Sequence, residues 1–514
     1  MVTFRSRPGW LIPFACITIF HLATMFLRRT GILLPAASVL SGVSSAARQP
    51  AYHPPAQSGF NNLDAALRGP GVFGFIFDPS SRIPDEDGAY NFCNMPHVRR
   101  ATYVRPGDEY ELAFVEVAHR HHKRTPYRDN SFPVESYAWD CDDVGLYQFG
   151  EPLVEEGHGV AKVYQALFVS EVNPFLPVGW QGRCKFPQIT AGGLDDSWRH
   201  GADLYAVYGK LLGFLPGKDG DAWREKVKYR VTNNPITSQV AGMVINGMWG
   251  ATGSVPLLVE DDAVDSLEPR YGCPAGSNLY NGVRSKAPWR DHLTAAEPVF
   301  SALDDLSGVP RNDDGFHISF DHYFDNLSSR QCHGKPLPCK LVNGVNSSNC
   351  VTQDQADTVY RLGHWEYSQQ YRDDPDSLAM ATMTIGVWFA ELLAHFRQAV
   401  AGRSDTIYFH NVAHDGSISR MLAFLQIDTM FWPGLGAEIV FEIWKKKIRP
   451  LSGDGIDKDS SSSGYFLRVL YGGSVLTSSS PSLGTIEMIP LETFQEYVVG
   501  LVGKDASSIR DLCT

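Results

Sequence analysis

The chain has 514 residues, of which 43% are hydrophobic, 12% aromatic and 20% charged, a globular composition that excludes disorder and a multi-span membrane protein. At about 100 to 200 residues per domain, this length suggests roughly two to four structural units. The net charge of -12 excludes indiscriminate binding to nucleic acid or anionic membranes, which reward a basic face, but it leaves room for a local basic pocket.

The N-terminus carries Arg5 and Arg7, an apolar run over residues 10–27 broken by His21, then Arg28 and Arg29, a second apolar stretch over 32–40 and small residues up to Ala47. This pattern predicts a secretory leader over residues 1–47, cleaved near Ala46 or Ala47, and hence a secreted protein. The alternative is membrane attachment through residues 10–27, close to the ~20 residues that span a bilayer. A lead-in rich in Pro, Gly and Ser covers residues 48–105.

An apolar run at 112–118 breaks into His and Arg residues, as a buried strand delivering a polar loop would. Leu204, Val207, Tyr208, Leu211 and Leu212 recur at helical spacing, closed by residues 213–216. Residues 226–231 read as a strand and 237–248 as a helix, completing the first part of a core over 106–250. Residues 251–376, with many Asp, Gly, Pro and Cys and little sustained periodicity, read as an inserted cap. The second part of the core, 377–514, begins with a long helix over 378–400, apolar on more than one side. A strand at 406–412 and a helix marked by Ile418, Met421, Leu422 and Leu425 follow. Residues 437–444 and 465–471 are β-rich, separated by a loop with serines at 460–463, and Gly472-Gly473 signals a tight turn and a C-terminal hairpin. Repeated strand-loop-helix units predict an α/β fold whose site lies beyond the carboxyl edge of the sheet.

Of nine cysteines, Cys16 lies in the leader, leaving Cys93, Cys141, Cys184, Cys273, Cys332, Cys339, Cys350 and Cys513. An even set in an exported chain predicts up to four disulfides of undetermined pairing. Sequons at Asn326 and Asn346 flank the close trio Cys332, Cys339 and Cys350, predicting a glycosylated, disulfide-pinned surface insertion.

Three loops that follow strands carry charge: Arg120, His121 and Arg124 on the first, Arg230 on the second, and His414 with Asp415 on the third. A phosphoryl group in transfer spreads negative charge over three oxygens and calls for cationic forks, an in-line nucleophile and an acid for the leaving alkoxide. The motif Arg120-His121-x-x-Arg124-x-Pro126 resembles the signature of the histidine acid phosphatases, a branch of the phosphoglycerate-mutase-like superfamily. The resemblance is to a secreted, fungal-type member of that family.

That resemblance implies a three-layer α/β/α sandwich with an inserted, mainly helical cap, and hydrolysis of phosphate monoesters without a metal or organic cofactor. It implies that His121 becomes a phosphohistidine, that Arg120, Arg124, Arg230 and His414 hold the phosphoryl oxygens, and that Asp415 protonates the leaving group. His122 stands where the family has glycine. A side chain there could add a phosphate donor, narrow the pocket or leave a protein that binds phosphate without turnover.

Simpler readings compete. Adjacent residues on a strand point to opposite faces, which argues against His119, His121 and His122 sharing one metal ion. The pairs at 142–143, 195–196, 261–262 and 313–314 read as solvated loops or caps rather than glycosidase carboxylates. The aromatic segment 432–444 reads as core.

Overall fold

The computed structural model describes residues 50–72, 90–135, 137–141, 147–149, 161–163, 168, 170–175, 182–250, 253–447 and 464–514. The predicted leader and the serine-rich loop at 460–463 lie outside these residues.

Alternation along one strand sets the layers. β1 (Tyr110–Arg120) is central in the sheet. It directs Phe114 and Ala118 into one apolar core and Val115 and Val117 into another. The other strands are β2 (Val227–Val231), β3 (Tyr408–Ala413), β4 (Glu438–Lys446), β5 (Tyr465–Tyr471), β6 (Ser474–Val475) and β7 (Ile489–Pro490). Their order is β6-β5-β4-β1-β3-β2, with β7 paired to β5. β1, β3 and β2 run parallel, with Arg120 opposite Ala413 and Val231 opposite Val412, so their carboxyl ends form one edge. β4 and β5 are antiparallel, in the region where the hairpin signal lay.

One face of the sheet is covered by α1 (Ala191–Tyr205) and α2 (Pro235–Trp249). The other packs against α5 (Ser377–Val400), α6 (Asp415–Phe424) and α7 (Leu491–Val502). The result is a three-layer α/β/α sandwich, in which the long apolar helix is a core element that buries Ile385, Trp388, Phe389, Leu392 and Phe396. The predicted strands and helices match to within a few residues, but α7 carries no counterpart in the sequence reading.

The insertion is helical despite its weak periodicity. It contains α3 (Asp321–Cys332) and α4 (Gln353–Ser368), with shorter helices at Pro274–Arg284, Ala287–Ala295 and Glu297–Ser307. Its own core joins Phe300, Phe324 and Trp365 to Phe92, Phe132 and Trp432 from outside it, and residues 47–514 form a single compact unit. Helices buried on several sides lose the one-sided stripe by which helices are read, which explains the missing periodicity.

All eight cysteines are paired, as Cys93–Cys332, Cys141–Cys184, Cys273–Cys513 and Cys339–Cys350. Two of these tie the insertion to distant chain. The sequon reading divides. Asn346 is exposed on the strand Val345–Cys350, whereas Asn326 is buried within α3, donating to the Asn130 carbonyl at 2.9 Å and accepting from Arg330 Nε at 2.8 Å. A glycan on Asn326 is sterically incompatible with this fold.

Candidate active site

The site is built at the carboxyl edge of β1 and β3. β1 ends at Arg120, and the turn that follows is held from three sides. Arg120 N donates to the Ala437 carbonyl at 2.9 Å, His121 N to the Ala413 carbonyl at 3.0 Å, and Gly436 N to the His121 carbonyl at 3.1 Å. Farther along the turn, Thr190 N donates to the Lys123 carbonyl at 3.2 Å, and the Lys123 ammonium meets Asp196 of α1 at 3.0 Å. A loop restrained this way presents its side chains without further ordering cost on binding.

His121 is buried, with Nδ1 at 3.0 Å from the His122 carbonyl. A carbonyl only accepts, so Nδ1 carries the proton and Nε2 keeps its lone pair. That lone pair lies 3.4 Å from Arg124 Nε, and the His414 ring centroid is 5.5 Å from that of His121. Burial, then Arg124, Arg120 and His414, hold the imidazole well below its ordinary pKa and therefore neutral.

Each cation has a counter-charge. Arg120 Nη2 is 3.1 Å from Asp415, its Nη1 donates to the Pro433 carbonyl at 2.6 Å, and its Nε has no partner among the described residues. Arg124 meets Asp325 of α3 at 2.9 Å. Asp325 also accepts from Tyr127 N at 3.0 Å and Asn130 Nδ2 at 2.7 Å, so the insertion supplies the carboxylate that orients Arg124. At the start of α6, His414 Nε2 lies 3.0 Å from Thr232 Oγ1 and 3.4 Å from Glu268. Burial would raise the Glu268 carboxyl, but its hydrogen bond and charge contact with His414, together with Arg270, bring it down to about 2.

Asp415 occupies the first turn of α6, where the helix dipole favours an anion. It accepts from Trp432 Nε1 at 2.8 Å and from Gly416 N at 2.8 Å. Burial pushes its pKa up, but Arg120, the Trp432 hydrogen bond, Arg124 and His414 outweigh that and hold it below the ordinary carboxylate value. In the free site Asp415 is ionised.

Two expected residues go elsewhere. Arg230 pairs with Asn411, which in turn pairs with Ala118, so it sits below the strand edge and faces α5. There it binds Glu391 at 2.8 Å, Glu260 at 2.5 Å and Ser266 at 3.0 Å. The structure does not bring it to His121; the second strand contributes Thr232 instead. His122 takes no left-handed backbone, and its side chain turns toward α1, 3.0 Å from Ser197 Oγ and 3.2 Å from His200 Nδ1. It neither binds at the reactive edge of His121 nor narrows the space before it. The structure thus groups Arg120, His121, Arg124, His414 and Asp415.

Sequence reasoning missed Asp325, Glu268, Thr232 and Trp432. Trp432 is core, as expected, yet its indole N–H is also the donor to Asp415; nothing local in the sequence signals these partnerships.

No family model matches the chain. It is 21% identical to human 2-phosphoxylose phosphatase 1 over 412 residues, covering 77% of this chain and 78% of the relative, and 21% identical to the rat protein over 417 residues, covering 78% and 79%. Among solved structures, Hafnia alvei phytase in complex with tartrate aligns with a TM-score of 0.49 at 14% identity over 78% of this chain and 99% of that one. The Citrobacter braakii phytase aligns with a TM-score of 0.48 at 10% identity, over 77% and 99%.

Proposed function

We propose that the chain is a phosphomonoester hydrolase of the histidine acid phosphatase type, with His121 its nucleophile and Asp415 its proton donor. The observation that carries this reading is the His121 imidazole, fixed through Nδ1 with its Nε2 lone pair beside Arg124. Nε2 attacks phosphorus, the P–O bond to the leaving group breaks, and Arg120, Arg124 and His414 face the negative oxygens. The alkoxide takes a proton from Asp415, which then, as a base, activates the water that hydrolyses the phosphohistidine.

Asp415 is ionised when the site is empty, so the proton enters with the substrate. A phosphate monoanion carries one, and a phosphoryl group beside Arg120 draws that guanidinium away from Asp415 and raises its proton affinity. No metal is needed for any of these steps.

For the substrate, we propose a phosphosugar or related polyol phosphate. A cavity of about 300 Å³ is lined by Gln188, Asn233, Asn234, Gln239 and Arg270, and Glu268 joins it to His414. Amides and charged groups of this kind suit a hydroxyl-rich leaving group, and the curated relatives are 2-phosphoxylose phosphatases. Four disulfides fit an oxidising compartment, so the proposed location is the secretory pathway or beyond it.

The test is hydrolysis of p-nitrophenyl phosphate and a phosphosugar panel at mildly acidic pH, with single-turnover trapping of phosphate on His121 and His121→Ala as control. A folded wild-type enzyme inert on every monoester would overturn the catalytic reading.

A further inference from the structure

On the α1 side of the sheet, behind the nucleophile, lies a group of histidines that the phosphatase reading does not use. His119, His122 and His200 are each 1% exposed or less. One ring nitrogen from each lies within 4.8 Å of the other two. We propose that these three side chains form a structural site for a divalent transition-metal ion, Zn2+ foremost.

Proton accounting carries the argument. His119 Nδ1 is 2.8 Å from the Arg120 carbonyl, so it donates there, and His119 Nε2 is left bare and without a hydrogen-bond partner among the described residues. Ser197 Oγ donates to the Gly193 carbonyl at 2.6 Å. It therefore accepts from His122 Nδ1 and leaves His122 Nε2 bare. His200 Nε2 is 2.8 Å from Glu438, whose other oxygen accepts from Val98 N. With Glu438 ionised, His200 Nδ1 is also bare, and it faces His122 Nε2 at 3.2 Å.

Three lone pairs converging in a dry interior repel one another unless a positive centre lies between them. A protonated Glu438 would relay one hydrogen bond through His200 to His122, but His119 Nε2 would still be unpaired. A metal ion satisfies all three. Imidazole is the ligand for which Zn2+ and its neighbours are suited. With Zn–N bonds of about 2.0 to 2.1 Å, tetrahedral geometry places ligand nitrogens about 3.3 Å apart, close to the His122–His200 separation. Each histidine also has its other nitrogen fixed by a carbonyl, a hydroxyl or a carboxylate, which is how metal-binding histidines are oriented.

The surrounding backbone accommodates the cluster. Gly436 has φ of +76°, and a Cβ there would fall 2.7 Å from His122 Nε2. Only glycine leaves that ring its place. Three neighbours on one strand are not what converges: His119 and His122 come from the end of β1 and its turn, and α1 supplies the third ligand, His200. An ion here would clamp the nucleophile turn to α1.

The experiment uses the full chain, secreted and freed of any histidine tag. Metal analysis is expected to find about one Zn2+ per chain, retained during dialysis against EDTA while the protein is folded and lost on unfolding. Refolding with Co2+ is expected to produce the visible absorption of tetrahedral cobalt. His119→Gln and His122→Gln each abolish it, and Glu438→Gln weakens metal affinity about 10- to 100-fold. His97→Gln, a neighbour stacked on His200 at 4.3 Å, keeps the ion and serves as the control for folding. A wild-type chain that is metal-free as purified, and takes up neither Zn2+ nor Co2+ on refolding, overturns the proposal. So does an ion that both ligand variants retain or that EDTA strips from the folded protein.

Discussion

Replacing Trp432 by Phe removes one N–H donor from Asp415 while keeping an aromatic ring where the indole stacks on Phe324 at 4.0 Å and Tyr367 at 4.1 Å. A hydrogen bond to a charged group contributes about 1.5 to 3 kcal/mol, and one pKa unit corresponds to about 1.36 kcal/mol, so the full loss would be about 1 to 2 units. The Asp415 side chain is 22% exposed, and water replaces part of the lost donor, which favours the lower end, about 1 unit. The sign is set by the anion: the indole stabilises the carboxylate, so its removal raises the Asp415 pKa. The acid limb of kcat/KM, which reports the free enzyme, should therefore move toward neutral pH by about that much. The assay is a pH profile on a phosphomonoester alongside a thermal melt. An acid limb that stays in place in a well-folded W432F enzyme would refute the assignment of Asp415 as the group titrating there.

The alkaline limb of kcat/KM for wild type should fall near pH 6, where a phosphate monoester loses the proton it brings to the site, since its second pKa is about 6. A plateau extending well above pH 7 would count against proton delivery by the substrate. Asp325→Ala strips the counter-charge from buried Arg124, and is expected to cost about 3 to 5 kcal/mol of stability and about a hundredfold in kcat/KM, read by denaturant melts and steady-state kinetics. Arg230→Gln should lose about 3 kcal/mol of stability by leaving Glu391 and Glu260 uncompensated, with kcat/KM of the folded enzyme little changed. A large selective loss of activity would restore Arg230 to the site. Intact mass after secretory expression should shift by one glycan in Asn346→Gln and by none in Asn326→Gln, because Asn326 is enclosed by α3 and the Asn130 carbonyl.

Local pattern determined a good deal by itself. The apolar run into Arg120 and His121, the helical spacing after residue 200 and the His414-Asp415 pair at a strand end follow from periods of 2 and 3.6 residues, and these are properties of neighbouring positions. Five of the expected site residues are legible in that way. The carboxylate that holds Arg124 lies 201 residues away on α3, and the pairing of eight cysteines joins positions as far as 240 apart. Such contacts depend on how layers close, and periodicity carries no record of that. Strand alternation states that Arg230 and Tyr229 face opposite ways, but only the packed sheet shows that the Arg230 face belongs to α5 and its carboxylates. The same closure turns His122 from a suspected neighbour of phosphate into a partner of His200, because the turn after β1 directs successive side chains to different layers.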